Sequence, residues 1–316
     1  MPYKPKHLRK GDTVGICSPS SGLWERSELW RGIETIESWG LKVKVSPNAY
    51  KNNYYLAGAD EERAADLNAM FRDESVDAII CTQGGYGAGR ILPLLDYDMI
   101  QKNPKIFLGY SDITALHLAF AKMCDLVTFH GPTASGFYPP YLTPYRLKYL
   151  EKALFSPDPI GLIEPFDDTD YIVKMVPGVV EAPIVCGNLT LICASLGTPY
   201  EIDTRGKIFV IEDLDTEPWI FDHMLTHLLN AGKFRDCAGI VVGRCLNCDP
   251  RKHEPGFQSS WSLEDLLFDR LAPLDLPLIY GLPIGHTEHM AVIPENIGAR
   301  LDGGAGTLEI TEAATR

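Results

Sequence analysis

Ser111 sits at a corner of the chain. In KIFLGYSDITALHLAF, residues 105–120, an apolar strand-like run breaks sharply before an amphipathic helical run, and the hydroxyl occupies the break. A serine there can cap a helix by accepting from free N–H groups. The same geometry suits a nucleophile, because a tight strand-to-helix turn exposes the oxygen and leaves N–H groups pointing toward a developing oxyanion. GYSDI resembles a nucleophile elbow but lacks the second glycine of G-x-S-x-G. A serine hydroxyl becomes a useful nucleophile only when a base takes its proton and a third group orients that base. Two stretches offer such groups. GKIFVIEDLDTEPW ends an apolar run with Glu212 and Asp213, and LPLIYGLPIGHTEHM leaves His286 in a turn after another. Each alone is an ordinary loop residue; the three together form a constellation for acyl transfer.

Other candidates are weaker. His223 and His227 have the i, i+4 spacing of two zinc ligands on a helix face, but the glutamate of H-E-x-x-H is missing. Cys245 and Cys248 form one C-x-x-C without a second pair at zinc-finger spacing. His117 lies on the helix after Ser111, and His130 in FHGP reads as a supporting or structural residue. GGYGAG is not a dinucleotide fingerprint, because counting from Gly85 the third glycine position holds Arg90. It remains a candidate backbone cradle. No cofactor or metal is expected.

These residues need elements to place them. DTVGIC, LKVKVSP, VDAIICTQ and KIFLGY read as strands, separated by helices at RSELWRGIETIESWG, DEERAADLNAMFRD and GRILPLLDY. Such alternation implies an α/β fold with a parallel sheet, whose ligand sites lie beyond the carboxyl ends of the strands. Gln83–Gly89 and Ser111 both fall at such ends. SPDPIGLIEPFDDTD, residues 156–170, has proline, glycine and acidic residues without periodicity, as a linker does, which places a boundary near residue 160. Residues 1–160 then form an N-terminal domain with a Rossmann- or flavodoxin-like parallel sheet. Residues 161–316 form a mixed α/β, strand-rich domain, with strands at GKIFVIED, GIVVGRC, LPLIYGLPIGH and ARLDGGAGTLEIT and helices at GNLTLICASLG and WIFDHMLTHLLNAG.

The 316 residues can bury a large core, so two domains are natural. A formal charge of −13 argues against nucleic acid or an anionic membrane surface as partner. The N-terminus has no apolar leader core, and nowhere do about 18 apolar residues run together. Eight cysteines scattered through apolar contexts fit a reducing cytoplasm better than a disulfide framework.

The segments CTQGGYGAGRILPLLDYDMIQKNPKIFLGYSDITALHLAF, VTFHGP, CGNLTLICASLGTPYEID, IFVIEDLDTEPWIFDHML and GLPIGHTEH together resemble the LD-carboxypeptidase family of serine peptidases, in order from about residue 12 to 300. The resemblance implies a Ser-Glu-His triad on Ser111, Glu212 and His286. It implies an oxyanion site from the backbone N–H groups of Asp112 and the Gly84–Gly85 turn. It also implies an active site between the two domains and a homodimer. Gln83 departs from the arginine that relatives often carry before the paired glycines, which bears on substrate contacts there and not on the triad.

The expected activity is removal of the terminal D-alanine from murein tetrapeptides in peptidoglycan recycling, so the partner is a small muropeptide. Arg90, beyond the glycine turn, and Arg244, after GIVVG, are the cations nearest to strand ends and candidates for the terminal carboxylate. The sister branch of microcin-immunity proteins cleaves an acyl-aminoacyl-nucleotide with the same machinery. That branch and a non-catalytic muropeptide-binding protein are the alternatives.

Overall fold

The computed structural model describes residues 2–167 and 171–316. Five strands of the N-terminal half, β1 (Thr13–Cys17), β2 (Lys42–Val45), β3 (Ala78–Cys81), β4 (Ile106–Gly109) and β5 (Phe129–His130), lie parallel in the order β5-β4-β3-β1-β2. The apolar runs AIIC and IFLG are buried at every position, as strands covered on both faces must be. Helices α1 (Arg26–Ser38), α2 (Asp60–Arg72), α3 (Ala88–Ile91), α4 (Tyr97–Lys102), α5 (Thr114–Cys124) and α6 (Pro144–Phe155) belong to this half. Every strand and helix read from the sequence up to α5 is present.

The second half contributes β6 (Gly161–Leu162), β7 (Val173–Val176), β8 (Val179–Asn188), β9 (Ile208–Glu212), β10 (Gly239–Gly243), β11 (Leu278–Leu282), β12 (Ile293–Pro294), β13 (Gly298–Asp302) and β14 (Thr307–Ile310). Its helices are α7 (Leu189–Ser195), α8 (Pro218–Asn230) and α9 (Leu263–Leu271). An eight-stranded sheet runs β6-β14-β13-β8-β9-β10-β11-β7. Its centre, β8 to β11, is parallel, and the outer strands pair antiparallel. The segment read as a linker carries β6, which pairs with β14 between the buried Ile160 and Ile163; its last three residues, 168–170, lie outside the described ones.

Two features join the halves. Strand β12 leaves the second half to pair antiparallel with β5, making the first sheet six-stranded. One apolar core holds Ile80, Leu108 and Phe129 of the first sheet together with Ile184, Val210 and Ile279 of the second. The carboxyl ends of β4, β9 and β11 are thereby brought to one place.

Candidate active site

Ser111 follows β4 by two residues and opens a short 3-10 turn, Ser111–Ile113, that leads into α5. Its φ is +64°, in the left-handed region that non-glycine residues rarely adopt. Strain of this kind at a strand-to-helix corner is what exposes a nucleophile. Ser111 is not a cap residue: Tyr110 caps the turn and Ile113 caps α5, and neither makes a side-chain cap bond, which removes the N-cap explanation for the hydroxyl.

The glycine turn after β3 packs on this corner. A Cβ on Gly84 would stand 2.8 Å from Ser111 Cβ and 3.2 Å from its Oγ, so only glycine permits the approach. Gly85, at φ +105°, would meet the Ser21 hydroxyl at 2.4 Å. Ser21 in turn accepts from the Tyr86 N–H at 2.9 Å. Gln83 is buried, and its amide donates to the Gly22 carbonyl at 2.6 Å, tying two loops together. Asp112 was expected to act through its N–H; its side chain does something the sequence did not signal. The buried carboxylate accepts from the Ser20 hydroxyl and, at 2.7 Å, from the Ala88 N–H, clamping the start of α3 to the Ser111 turn.

Glu212 ends β9 and is fully buried. Its Oε2 lies 2.7 Å from His286 Nδ1 and also accepts the His286 N–H at 3.2 Å. Burial by itself raises the Glu212 carboxyl, but the His286 hydrogen bond and the electrostatic pull of the His286 and His130 imidazoles outweigh it, leaving the group below its ordinary value. An ionised carboxylate only accepts, so Nδ1 of His286 carries the proton and Nε2 is left bare. That is the tautomer a general base needs. His286 stays partly open to solvent while its acid partner does not. The Tyr110 ring, next to Ser111, lies against the His286 imidazole at 4.9 Å between centroids.

Asp213, the other acid of the pair, is excluded from this chemistry. Its carboxylate accepts from the Thr190 N–H and hydroxyl at 3.0 and 2.9 Å and from the Leu214 N–H at 2.8 Å, bracing the start of α7. Nearby, the Asn188 N–H donates to Thr114 Oγ1 at 3.1 Å, tying the end of β8 to the helix behind Ser111.

The remaining candidates fall elsewhere. Arg90 is forked on Asp60, with Nε 3.0 Å from both carboxylate oxygens. Arg244 is exposed just past β10, and its N–H donates to Leu282 O at 2.8 Å, one turn before His286. His223 and His227 are both exposed on α8, and among the described residues no three metal-binding side chains cluster. Cys245 and Cys248 are buried free thiols, as are most of the eight cysteines. Arg146 of α6, which no sequence signal marked, donates to Thr287 O at 2.6 Å and holds the His286 turn from behind.

Residues 14–131 match the LD-carboxypeptidase N-terminal domain and residues 181–301 the LD-carboxypeptidase C-terminal domain. The chain belongs to the LD-carboxypeptidase family. The probable murein peptide carboxypeptidase of Bacillus subtilis (strain 168) is 44% identical over 299 residues, 94% of this chain and 90% of that one. The Microcin C7 self-immunity protein MccF of Escherichia coli is 26% identical, over 96% of this chain and 94% of that one. Among solved structures, the muramoyltetrapeptide carboxypeptidase from Oxalobacter formigenes superposes with a TM-score of 0.81 at 26% identity, covering 95% of this chain and 99% of that one. This LD-carboxypeptidase family member is a carboxypeptidase-type hydrolase with a mixed α/β fold. Among the described residues no helix is long and apolar enough to cross a membrane.

Proposed function

We propose that the chain is a serine-type LD-carboxypeptidase that releases the terminal D-alanine of murein tetrapeptides through an acyl-enzyme formed on Ser111. The observation that carries this reading is the 2.7 Å bond between His286 Nδ1 and the buried Glu212, at the same end of the molecule as a serine in left-handed conformation. His286 Nε2 takes the Ser111 proton as Oγ attacks the amide carbon, and returns it to the leaving D-alanine amine. Water then enters by the same route and frees the shortened peptide. Glu212 holds the tautomer and stabilises the imidazolium. The N–H groups of Asp112 and Gly85 receive the oxyanion. No step calls for a cofactor. The kinship with the murein peptide carboxypeptidase at 44% identity supports the substrate class.

In this reading the chain divides near residue 160, with the nucleophile in the first domain and the acid and base in the second. The enzyme works in the cytoplasm as a homodimer. Arg244 takes the terminal carboxylate from its position beside the β9–β10–β11 ends. Arg90, ion-paired with Asp60, is the second candidate. A guanidinium fits a carboxylate bidentately, so Arg244→Lys should itself raise KM. Equal kcat/KM for the free acid and the C-terminal amide of the peptide would remove any carboxylate pocket.

Defined muropeptides decide the assignment. The tetrapeptide ending in D-alanine should be cleaved, its L-alanine epimer poorly, and an aspartyl-adenylate analogue more poorly still. Faster hydrolysis of the nucleotide analogue would give the protein to the immunity branch, and binding without turnover would make it a muropeptide sensor.

A further inference from the structure

Behind the catalytic groups runs a line of buried polar atoms that the mechanism above does not use. Glu212 Oε1, both ring nitrogens of His130, His117 Nδ1 and both carboxyl oxygens of Glu295 are buried without a hydrogen-bond partner. Unpaired buried polar groups are costly, and one on an ionised carboxylate is the costliest of the set. Glu212 Oε2 is fully employed by His286, so whatever steadies the carboxylate must act on Oε1. His130 Nε2 is the basic atom within reach of it, at 4.0 Å.

We propose that His130 is a positioning residue for the triad: its Nε2–H points at Glu212 Oε1 and holds the carboxylate in the rotamer that gives Oε2 to His286. The inference rests on the Ser111–His286–Glu212 reading given above. The 4.0 Å separation is about 1 Å beyond a normal N–H···O bond, and hydrogen bonds in unliganded sites commonly tighten when the reacting complex forms.

The surroundings of His130 fix it as a neutral donor. Burial and its neighbour His286 depress it to about 4 against the pull of Glu212, so it carries one proton at pH 7. His117, 6.1 Å away ring to ring, is likewise neutral, depressed by burial to about 3. Its Nε2–H donates to the Gly109 carbonyl at 2.8 Å, which leaves Nδ1 bare and facing Glu295 Oε1 at 3.9 Å. Burial pushes Glu295 up to about 8, so this acid keeps its proton and can offer it to His117 Nδ1. Tyr110, whose ring lies 6.3 Å from that of His130, stays a neutral phenol. Hence the titratable groups facing His130 from the end of β4, α5 and the segment after β12 bring it no charge, and Glu212 with its partner His286 is the pair it serves. A cation in its place would neutralise Glu212 and weaken the pull on the imidazolium. A neutral N–H restrains the carboxylate without that loss.

Glutamine carries a neutral N–H₂ to the depth of Nε2, and methionine has the same shape without a donor. His130→Gln, His130→Met and wild type should be compared for D-alanine release from the tetrapeptide between pH 5 and 9. Melting temperatures are read first, with His130→Phe as a second apolar variant. His130→Met should lower kcat by about 10- to 100-fold at little change in KM, the scale of a misplaced catalytic group. The acid limb of kcat/KM should move to higher pH, because Glu212 without its donor protonates more readily. His130→Gln should restore kcat to within a few-fold of wild type. Equal damage in the Gln and Met variants, or wild-type kcat in the apolar ones, would overturn the assignment. In parallel, the downfield proton resonance of His286 Nδ1–H should weaken in His130→Met and persist in His130→Gln. That arm needs no substrate. A wild type that releases no D-alanine therefore defeats the functional reading alone, and an unchanged resonance in His130→Met defeats the role of His130.

Discussion

The Glu212 carboxylate fills the space that a side chain at residue 285 would need: a Cβ on Gly285 would lie 2.2 Å from Oε2 and 2.4 Å from Cγ. Gly285 is also at φ +89°, where a Cβ adds about 1–2 kcal/mol of strain on its own. The glycine before His286 is therefore what lets the acid approach both the imidazole and the His286 N–H. Gly285→Ala should displace Glu212 and lower kcat by about 100-fold or more. Activity within a few-fold of wild type, in a variant that melts normally, would contradict this account of the site.

In the proposed mechanism Ser111 carries both the nucleophilic oxygen and the strained backbone, and two substitutions separate them. Ser111→Ala and Ser111→Gly should each abolish turnover, since the members of a triad act as a unit. Only the glycine variant relieves the left-handed strain. It should be more stable than the alanine variant by about 1 kcal/mol, less the backbone entropy glycine costs. Thermal unfolding of the two, side by side, measures the difference; an alanine variant as stable as the glycine one would mean that the corner is unstrained.

Much of this was readable in the sequence because the site lies at the ends of simple apolar strands. IFLG followed by a serine, IFVIE ending in its own acid, and LIYGL leading to a histidine are strong patterns at short range. What could not be read is what depends on partners far along the chain. Strand β8 alternates between exposed and half-buried over its first half, where it pairs antiparallel with β13, and is buried throughout its second half beside β9. Neither a period of two nor a continuous apolar run describes all of it. Strand β12 is two residues long and exists only because β5 is there to receive it. Nor does anything local distinguish Glu212 from Asp213. The pleat sends adjacent side chains to opposite faces, so one meets His286 and the other Thr190. The side-chain clamp by Asp112, the Arg146 brace and the polar line behind Glu212 are likewise products of folding alone.

That clamp is testable. Removing the Asp112 carboxylate leaves the buried Ala88 N–H and the Ser20 hydroxyl without their acceptor, at a cost of about 1–3 kcal/mol. It also frees the glycine turn that shapes the proposed oxyanion site. Asp112→Ala should therefore lose stability and kcat/KM together, whereas Ser20→Ala, which spares the bond to Ala88, should lose less of both. Denaturant midpoints and kcat/KM for the pair are the measurements, and a larger loss in Ser20→Ala would refute the clamp.

Glu295 makes stability depend on pH in a window of its own. Burial raises it from 4.5 to about 8, so between those values the native state binds a proton that the unfolded chain has released. Raising the pH through this range draws the protein toward the unfolded state, with a slope on the order of 1 kcal/mol per pH unit. The contribution is whole below about pH 4.5 and is lost as the native group titrates near 8. His117 and His130 act in the opposite sense. They are depressed from 6.5 to about 3 and about 4, so their burial favours unfolding only as pH falls below 6.5, and they are neutral in both states above it. From pH 6.5 to 8 Glu295 is therefore the member of this buried set that still titrates between the two states. Glu295→Gln keeps the shape and a donor toward His117 while removing the titration. Urea unfolding of wild type should show stability falling over that interval, and Glu295→Gln should hold level, the gap between them widening with each pH increment. Parallel curves for the two proteins would show that Glu295 ionises freely in the native state and does not hold its proton against His117.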